Sequence, residues 1–171
     1  ESICNDMVRT LHHRGPDHSA VWVNKDLGVA LGHARLSILD LSPAGHQPMT
    51  SSSGRYVMIF NGEIYNHLQL RKEVGLSGYS ASWKGHSDTE TLLAAFSTWG
   101  IKKALQATVG MFGLALLDLK ERKLILARDR MGEKPVYYGW QNDTFLFDQN
   151  RFWLFEFLLE DVSDMKKEYF Y

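Results

Sequence analysis

The sequence predicts an α+β fold of layered antiparallel sheets. Two observations carry that prediction. Helical patterns fall between residues 33 and 112, with closely spaced strand pairs on either side, whereas a doubly wound parallel sheet alternates helix and strand. The run Phe112-Gly113-Leu114-Ala115-Leu116-Leu117 is apolar at nearly every position, so a strand there is expected to be buried on both faces.

Each element has its own local reason. Ile3, Met7, Val8 and Leu11 recur at helical spacing and predict an amphipathic helix over residues 2–12. His13-Arg14-Gly15-Pro16-Asp17 ends it, because Gly and Pro punctuate the chain and the residue before Pro disfavours helix. Residues 20–23 and 28–33 read as strands about the turn Asn24-Lys25-Asp26. Residues 36–41 form a second apolar stretch, leading into a loop that holds Pro43, Gly45 and Pro48. Ser51-Ser52-Ser53-Gly54 makes a hairpin-like turn before a strand at 56–60. Asn66 stands where it can cap a helix over 67–74, and residues 76–85 are irregular. Ser87 or Asp88 caps a helix that runs to Trp99, with Leu92, Leu93, Ala95 and Phe96 inward, and Gly100 stops it. A short helix follows near 102–106. Strands at 112–119, 123–128, 136–140 and 144–147, separated by short turns, predict an antiparallel meander.

The segment after residue 147 differs from the rest. It is rich in aromatics, and Phe152, Phe155 and Leu159 fall at the spacing of one helical stripe. Three readings stand side by side: a terminal helix packed on the sheet, a partner surface, and a stretch that has left its natural frame. The expected division is a domain over residues 1–147 and a divergent aromatic-rich tail over 148–171.

Composition bounds the function. At 171 residues the chain is long enough for one domain with a real core. A net charge of −1 gives no sign of a surface for nucleic acid or an anionic membrane, and neither partner is expected. No apolar run approaches the roughly 20 residues that span a bilayer. Cys4 is the one cysteine, so no internal disulfide can form, which fits a cytoplasmic protein. The chain starts at Glu1 without a methionine or a signal-peptide pattern, and the expectation is that upstream residues are missing. The seven histidines all precede residue 87, and none pairs with Cys, Asp or Glu at zinc spacing, so no metal site is expected. Neither a Walker-type loop nor a dinucleotide glycine fingerprint occurs, so nucleotide binding within this chain is not expected.

The chemistry concentrates in Asn61-Gly62-Glu63, directly after the apolar run at 56–60. The Asn61 side-chain amide and the Gly62 N–H are two adjacent donors, and the oxyanion of an acyl-transfer transition state needs two. Arg35, at a strand end, either binds a planar carboxylate or makes a structural ion pair. Asp88 either caps its helix or holds a substrate ammonium. Glu63 either binds a polar substrate group or sits in the turn. Arg14 and Asp17 either pair and organise their rigid loop or take a direct part in catalysis. The cluster Arg128-Asp129-Arg130-Met131-Gly132 is assigned a supporting role.

Several stretches agree in order: His13-Arg14-Gly15-Pro16-Asp17, Gly32-His33-Ala34-Arg35-Leu36-Ser37-Ile38-Leu39-Asp40, Gln47-Pro48-Met49, Phe60-Asn61-Gly62-Glu63-Ile64-Tyr65-Asn66, Ser87-Asp88-Thr89-Glu90, and the run from Ala127 through Arg128-Asp129-Arg130-Met131-Gly132 to Pro135. Together they resemble the glutaminase domain of glutamine-hydrolysing asparagine synthetases, over roughly residues 5–147. That domain is a class II glutamine amidotransferase of the N-terminal-nucleophile hydrolase fold, an αββα sandwich. The resemblance implies that glutamine is hydrolysed to glutamate and ammonia by an N-terminal cysteine. Asn61 and Gly62 would hold the oxyanion, and Arg35 the α-carboxylate of glutamine. Asp88, with the region of Glu63, would hold its α-ammonium. Leu36, Ser37, Ile38 and Leu39 would supply backbone contacts. It implies no cofactor in this chain. ATP and magnesium belong to a synthetase domain that amidates aspartate, and no ATP-binding Ser-Gly-Gly-type loop occurs here.

This sequence departs from that pattern in two places. The family's nucleophile is the first residue of the mature protein, on a strand expected to be missing here. Cys4 falls inside a predicted helix without a free α-amino group, so the expectation is an inactive chain. Loss of that strand would expose a sheet edge and favour self-association. The tail also leaves the family pattern after Phe147. Two further readings therefore stand beside the enzyme domain: a non-catalytic glutamine-pocket or interaction domain, and a truncated gene product.

Overall fold

The computed structural model describes residues 1–37 and 42–149. In chain order it contains α1 (Ser2–Thr10), β1 (His18–Asn24), β2 (Val29–Arg35), a 3-10 turn (Pro43–Gly45), β3 (Met49–Thr50), β4 (Tyr56–Ile64), α2 (His67–Leu76), α3 (Asp88–Trp99), α4 (Ile101–Ala107), β5 (Gly110–Asp118), β6 (Lys123–Arg128), β7 (Tyr137–Gln141) and β8 (Thr144–Asp148). The fold is α+β with every strand pair antiparallel.

A four-stranded sheet, ordered β3-β4-β5-β6, forms the centre. Side chains alternate across a strand, and here the two sets enter different cores. Tyr56, Met58 and Phe60 of β4 join Phe112, Leu114 and Leu116 of β5 on one face, packed with Leu92, Phe96 and Ala104 of the helices. Val57 and Leu117 lie on the other face with Leu31 of β2, and Phe147 of β8 packs there too. The near-continuous apolar run of β5 is thus explained, since Leu114, Ala115, Leu116 and Leu117 are all buried. Beyond the β1–β2 hairpin lies α1, whose Val8 and Cys4 side chains rest on Gly32. The order through the molecule is helices, sheet, hairpin, helix.

Some local expectations are corrected. The meander breaks after β6: among the described residues β7 and β8 pair with each other and not with β6. The cause is the loop that follows Arg128. The buried Asp129 carboxylate accepts from the N–H groups of Phe112 (3.2 Å), Glu133 (3.0 Å) and Lys134 (3.0 Å), folding the chain back before β7 can pair with β6. Burial opposes ionisation of Asp129, but these backbone bonds outweigh it and hold its carboxyl below the usual range. Asn66 occupies the N-cap position of α2 without capping it. Its amide instead bridges Ala107 O and Val109 N, both at 2.9 Å, fastening α2 to the start of β5. Ser87 caps α3 by accepting from Glu90 N at 3.2 Å. Asp17 accepts from Ser37 N at 2.7 Å and makes no ion pair with Arg14. The proposed tail helix, and Ile38 and Leu39, lie outside the described residues.

Candidate functional site

The site begins at the open edge of β4. Strand β3 pairs with Val57 and Met58, so among the described residues the edge from Phe60 to Ile64 has no neighbouring strand. Side chains take its place. Gln47 clasps Phe60 from both sides of its amide: Nε2 donates to Phe60 O at 3.0 Å, and Oε1 accepts from Phe60 N at 2.6 Å. Two residues beyond the next donor, Ile64 N donates to Asp88 Oδ2 at 3.0 Å. Alternate residues of a strand turn their N–H groups the same way, so the Gly62 N–H leaves the sheet on this edge, between Gln47 and Asp88. Among the described residues no side chain caps it. Gly62 is required by space: a Cβ there would stand 2.1 Å from Met111 O on β5.

Asn61 and Glu63 alternate with these groups, and their side chains share the face turned toward β2 and β8. Asn61 is exposed, and its Nδ2 donates to Oε1 of Gln149 at 2.5 Å. Glu63 is half-buried. The oxyanion pair read from the sequence is thus two adjacent donors of different direction, one along the sheet plane and one above it.

Arg35 ends β2 with 7% of its surface exposed. Its Nη1 donates to Ser42 O at 3.2 Å, and its guanidinium lies over Gly45, where a Cβ would meet Nη2 at 2.2 Å. His33, on the same face of β2, joins this end to the Asn61 end. A carbonyl oxygen only accepts, so His33 Nε2 donates to Phe60 O, at 3.1 Å. Burial, aided by the charge of Arg35, holds the His33 pKa down to about 4, against the pull of that bond. Burial and the neighbouring charges of His18 and Arg35 also lower His46. Leu36 is exposed and Ser37 donates to Asp17, which fixes the path of the chain out of β2.

Asp88 opens α3 but does not cap it. Its two oxygens take Ile64 N and Thr89 N (2.8 Å), so it ties the end of β4 to the helix. Burial pushes its carboxyl above the ordinary range despite those bonds. Cys4 is remote in a specific sense. Its Sγ lies 2.9 Å from where a Cβ on Gly32 would stand, so it packs on the face of β2 opposite His33 and Arg35. Burial raises its thiol pKa. Sequence reasoning placed Asn61, Gly62, Glu63, Arg35 and Asp88 in the site, and the structure gathers them about the β4 edge and the end of β2. It missed the supporting Gln47 and His33 as individual residues, and Gln149 altogether.

With this geometry in hand, comparisons with known proteins are specific. The layered α+β fold is shared with the glutamine phosphoribosylpyrophosphate amidotransferase of Bacillus subtilis, solved with ADP and GMP, which superposes with a TM-score of 0.61 at 22% identity over 75% of this chain and 29% of its own. The profile of the glutamine amidotransferase domain matches residues 1–165, and the chain belongs to that family. Among its relatives are asparagine synthetase [glutamine-hydrolyzing] 3 of Bacillus subtilis, 40% identical over 82% of this chain and 22% of its own length, and asparagine synthetase B [glutamine-hydrolyzing] of Escherichia coli, 36% identical over 83% and 24%. A putative asparagine synthetase [glutamine-hydrolyzing] 2 of Methanocaldococcus jannaschii is 33% identical over 84% and 30%. The chain thus spans less than a third of the length of these relatives. Among the described residues no helix is long and apolar enough to cross a membrane.

Proposed function

We propose that this chain is the glutamine-binding portion of an asparagine-synthetase-like enzyme. The observation that carries the reading is the β4 edge, where the Gly62 N–H stands uncovered between Gln47 and Asp88 while the Asn61 amide rises beside it. In this reading the two donors hold the oxyanion formed when the glutamine carboxamide is attacked. Arg35 takes the α-carboxylate in a charge-assisted pair. Asp88 and Glu63 take the α-ammonium, and the backbone of Leu36, Ser37, Ile38 and Leu39 completes the grip. In the whole enzyme, ammonia released by a nucleophile other than Cys4 would pass to a synthetase domain, in keeping with the relatives' name asparagine synthetase [glutamine-hydrolyzing]; ATP and magnesium would serve that domain in amidating aspartate.

Cys4 does not serve as the nucleophile in this proposal. Its nitrogen is committed to a peptide bond inside α1, its thiol pKa is raised, and β2 stands between it and Asn61. The 171-residue chain is therefore expected to bind glutamine without hydrolysing it. Calorimetry on the chain and on Arg35→Ala and Arg128→Ala tests the binding half. Arg35→Ala is expected to lose the roughly 1.5–3 kcal/mol of a charge-assisted bond while Arg128→Ala binds normally; equal affinities would count against the assignment. Glutamate release that is present in the chain and abolished by Cys4→Ala would overturn the exclusion of Cys4.

A further inference from the structure

The chain carries a primary carboxamide at the mouth of its own candidate site. Gln149 follows β8 directly, and its Oε1 accepts from Asn61 Nδ2 at 2.5 Å. The nitrogen end of the same amide lies over Gly113, the cross-strand partner of Asn61. A Cβ on Gly113 would stand 2.2 Å from Gln149 Nε2 and 3.0 Å from Val136 Cγ2. The missing side chain at Gly113 therefore opens a slot beside Asn61, walled by Val136, and a flat amide fills it. A primary carboxamide on a two-methylene stem is the side chain of glutamine itself.

We propose that Gln149 is a built-in competitor that occupies the carboxamide subsite of the glutamine pocket. The inference rests on the proposed function. It adds that the slot of Asn61, Gly113 and Val136 selects primary carboxamides, and that the chain holds its own pocket closed to free glutamine until Gln149 leaves. An intramolecular ligand needs no second molecule to arrive, and its effective concentration reaches the millimolar range for a short connection. Free glutamine binds only the open fraction, so its apparent dissociation constant rises by the reciprocal of that fraction. A slot nine-tenths closed weakens glutamine about tenfold.

The test uses the full chain and L-glutamine, with calorimetry for affinity and the Asn61 side-chain amide resonances for site. Gln149→Ala and Gln149→Ser, which lack the amide, are each expected to bind glutamine about tenfold more tightly than the wild type. Both are expected to shift the Asn61 amide resonances before ligand is added. Adding Gly113→Ala to Gln149→Ala fills the slot and is expected to cancel the gain. Equal affinity in wild type and both Gln149 variants would overturn the competitor and leave the glutamine pocket standing. So would a gain that Gly113→Ala does not reverse, since glutamine would then sit elsewhere. Failure of every variant to bind glutamine would overturn the pocket and the competitor together.

Discussion

His33 is expected to make the stability of this domain depend on pH below neutrality. The ring donates from Nε2 to Phe60 O, and its Nδ1 is buried with no partner among the described residues. The residue as a whole keeps some surface, but a second proton has to enter at that enclosed nitrogen. The folded state therefore resists protonation and holds the pKa at about 4, against 6.5 in the unfolded chain. A depressed folded value gives stability that is complete above the unfolded pKa and is lost as pH falls toward the folded one. At about 1.36 kcal/mol per unit, the window from 6.5 to about 4 amounts to about 3 kcal/mol. His33→Gln keeps a donor within reach of Phe60 O and does not titrate. Urea unfolding at about pH 7 and about pH 4 on both proteins isolates the term, because Asp88 and the other carboxyls titrate alike in each. The wild type is expected to lose about 3 kcal/mol more than the variant across that interval. Parallel losses would refute the claim that the buried ring stays neutral.

Three further predictions concern the frame of the site. Gln47→Ala leaves the buried Phe60 N without a partner, while Phe60 O keeps the bond from His33, so at about 1–3 kcal/mol for the one group left unsatisfied it is expected to lower unfolding free energy by about that amount in urea titration. Gly62→Ala drives a Cβ into backbone of β5 and is expected to cost about 1–3 kcal/mol or more, whereas Gly75→Ala, with nothing within 4 Å and a helical setting, is expected to raise the thermal midpoint. Ser87→Ala removes the cap of α3 and is expected to cost about 1 kcal/mol by the same measurement, while leaving the Asp88–Ile64 tether in place.

What the sequence made legible was what depends on neighbours along the chain. The periodicity of α3, the capping Ser87 and the two-faced apolar run of β5 are local signals, and each found its place. Asn61 and Gly62 were legible only as adjacent donors: the apolar run stops at Phe60, but pairing with β5 carries β4 on to Ile64, so the two lie inside the strand and not at its end. What stayed hidden depends on partners far along the chain. Asn66 looks like a cap until Ala107 and Val109 arrive beside it, 41 and 43 residues away. The β6–β7 break follows from one carboxylate, Asp129, that collects N–H groups from two segments. Gln47 has no local signature as the strut of Phe60, since any glutamine in a loop reads the same. Gln149 sits 88 residues from Asn61, and nothing in its surroundings along the chain announces where its amide goes.

The way Gln47 and Asp88 hold the β4 edge has a consequence for self-assembly. A bare strand edge invites a second chain to add its own strand, which is the route to fibrils and swapped dimers. Here an incoming strand meets a glutamine already clasping Phe60 and a carboxylate already clasping Ile64. It would have to break both before gaining a continuous ladder. The gap left between them is one peptide unit wide, enough for a small molecule and too short for another polypeptide to zip along.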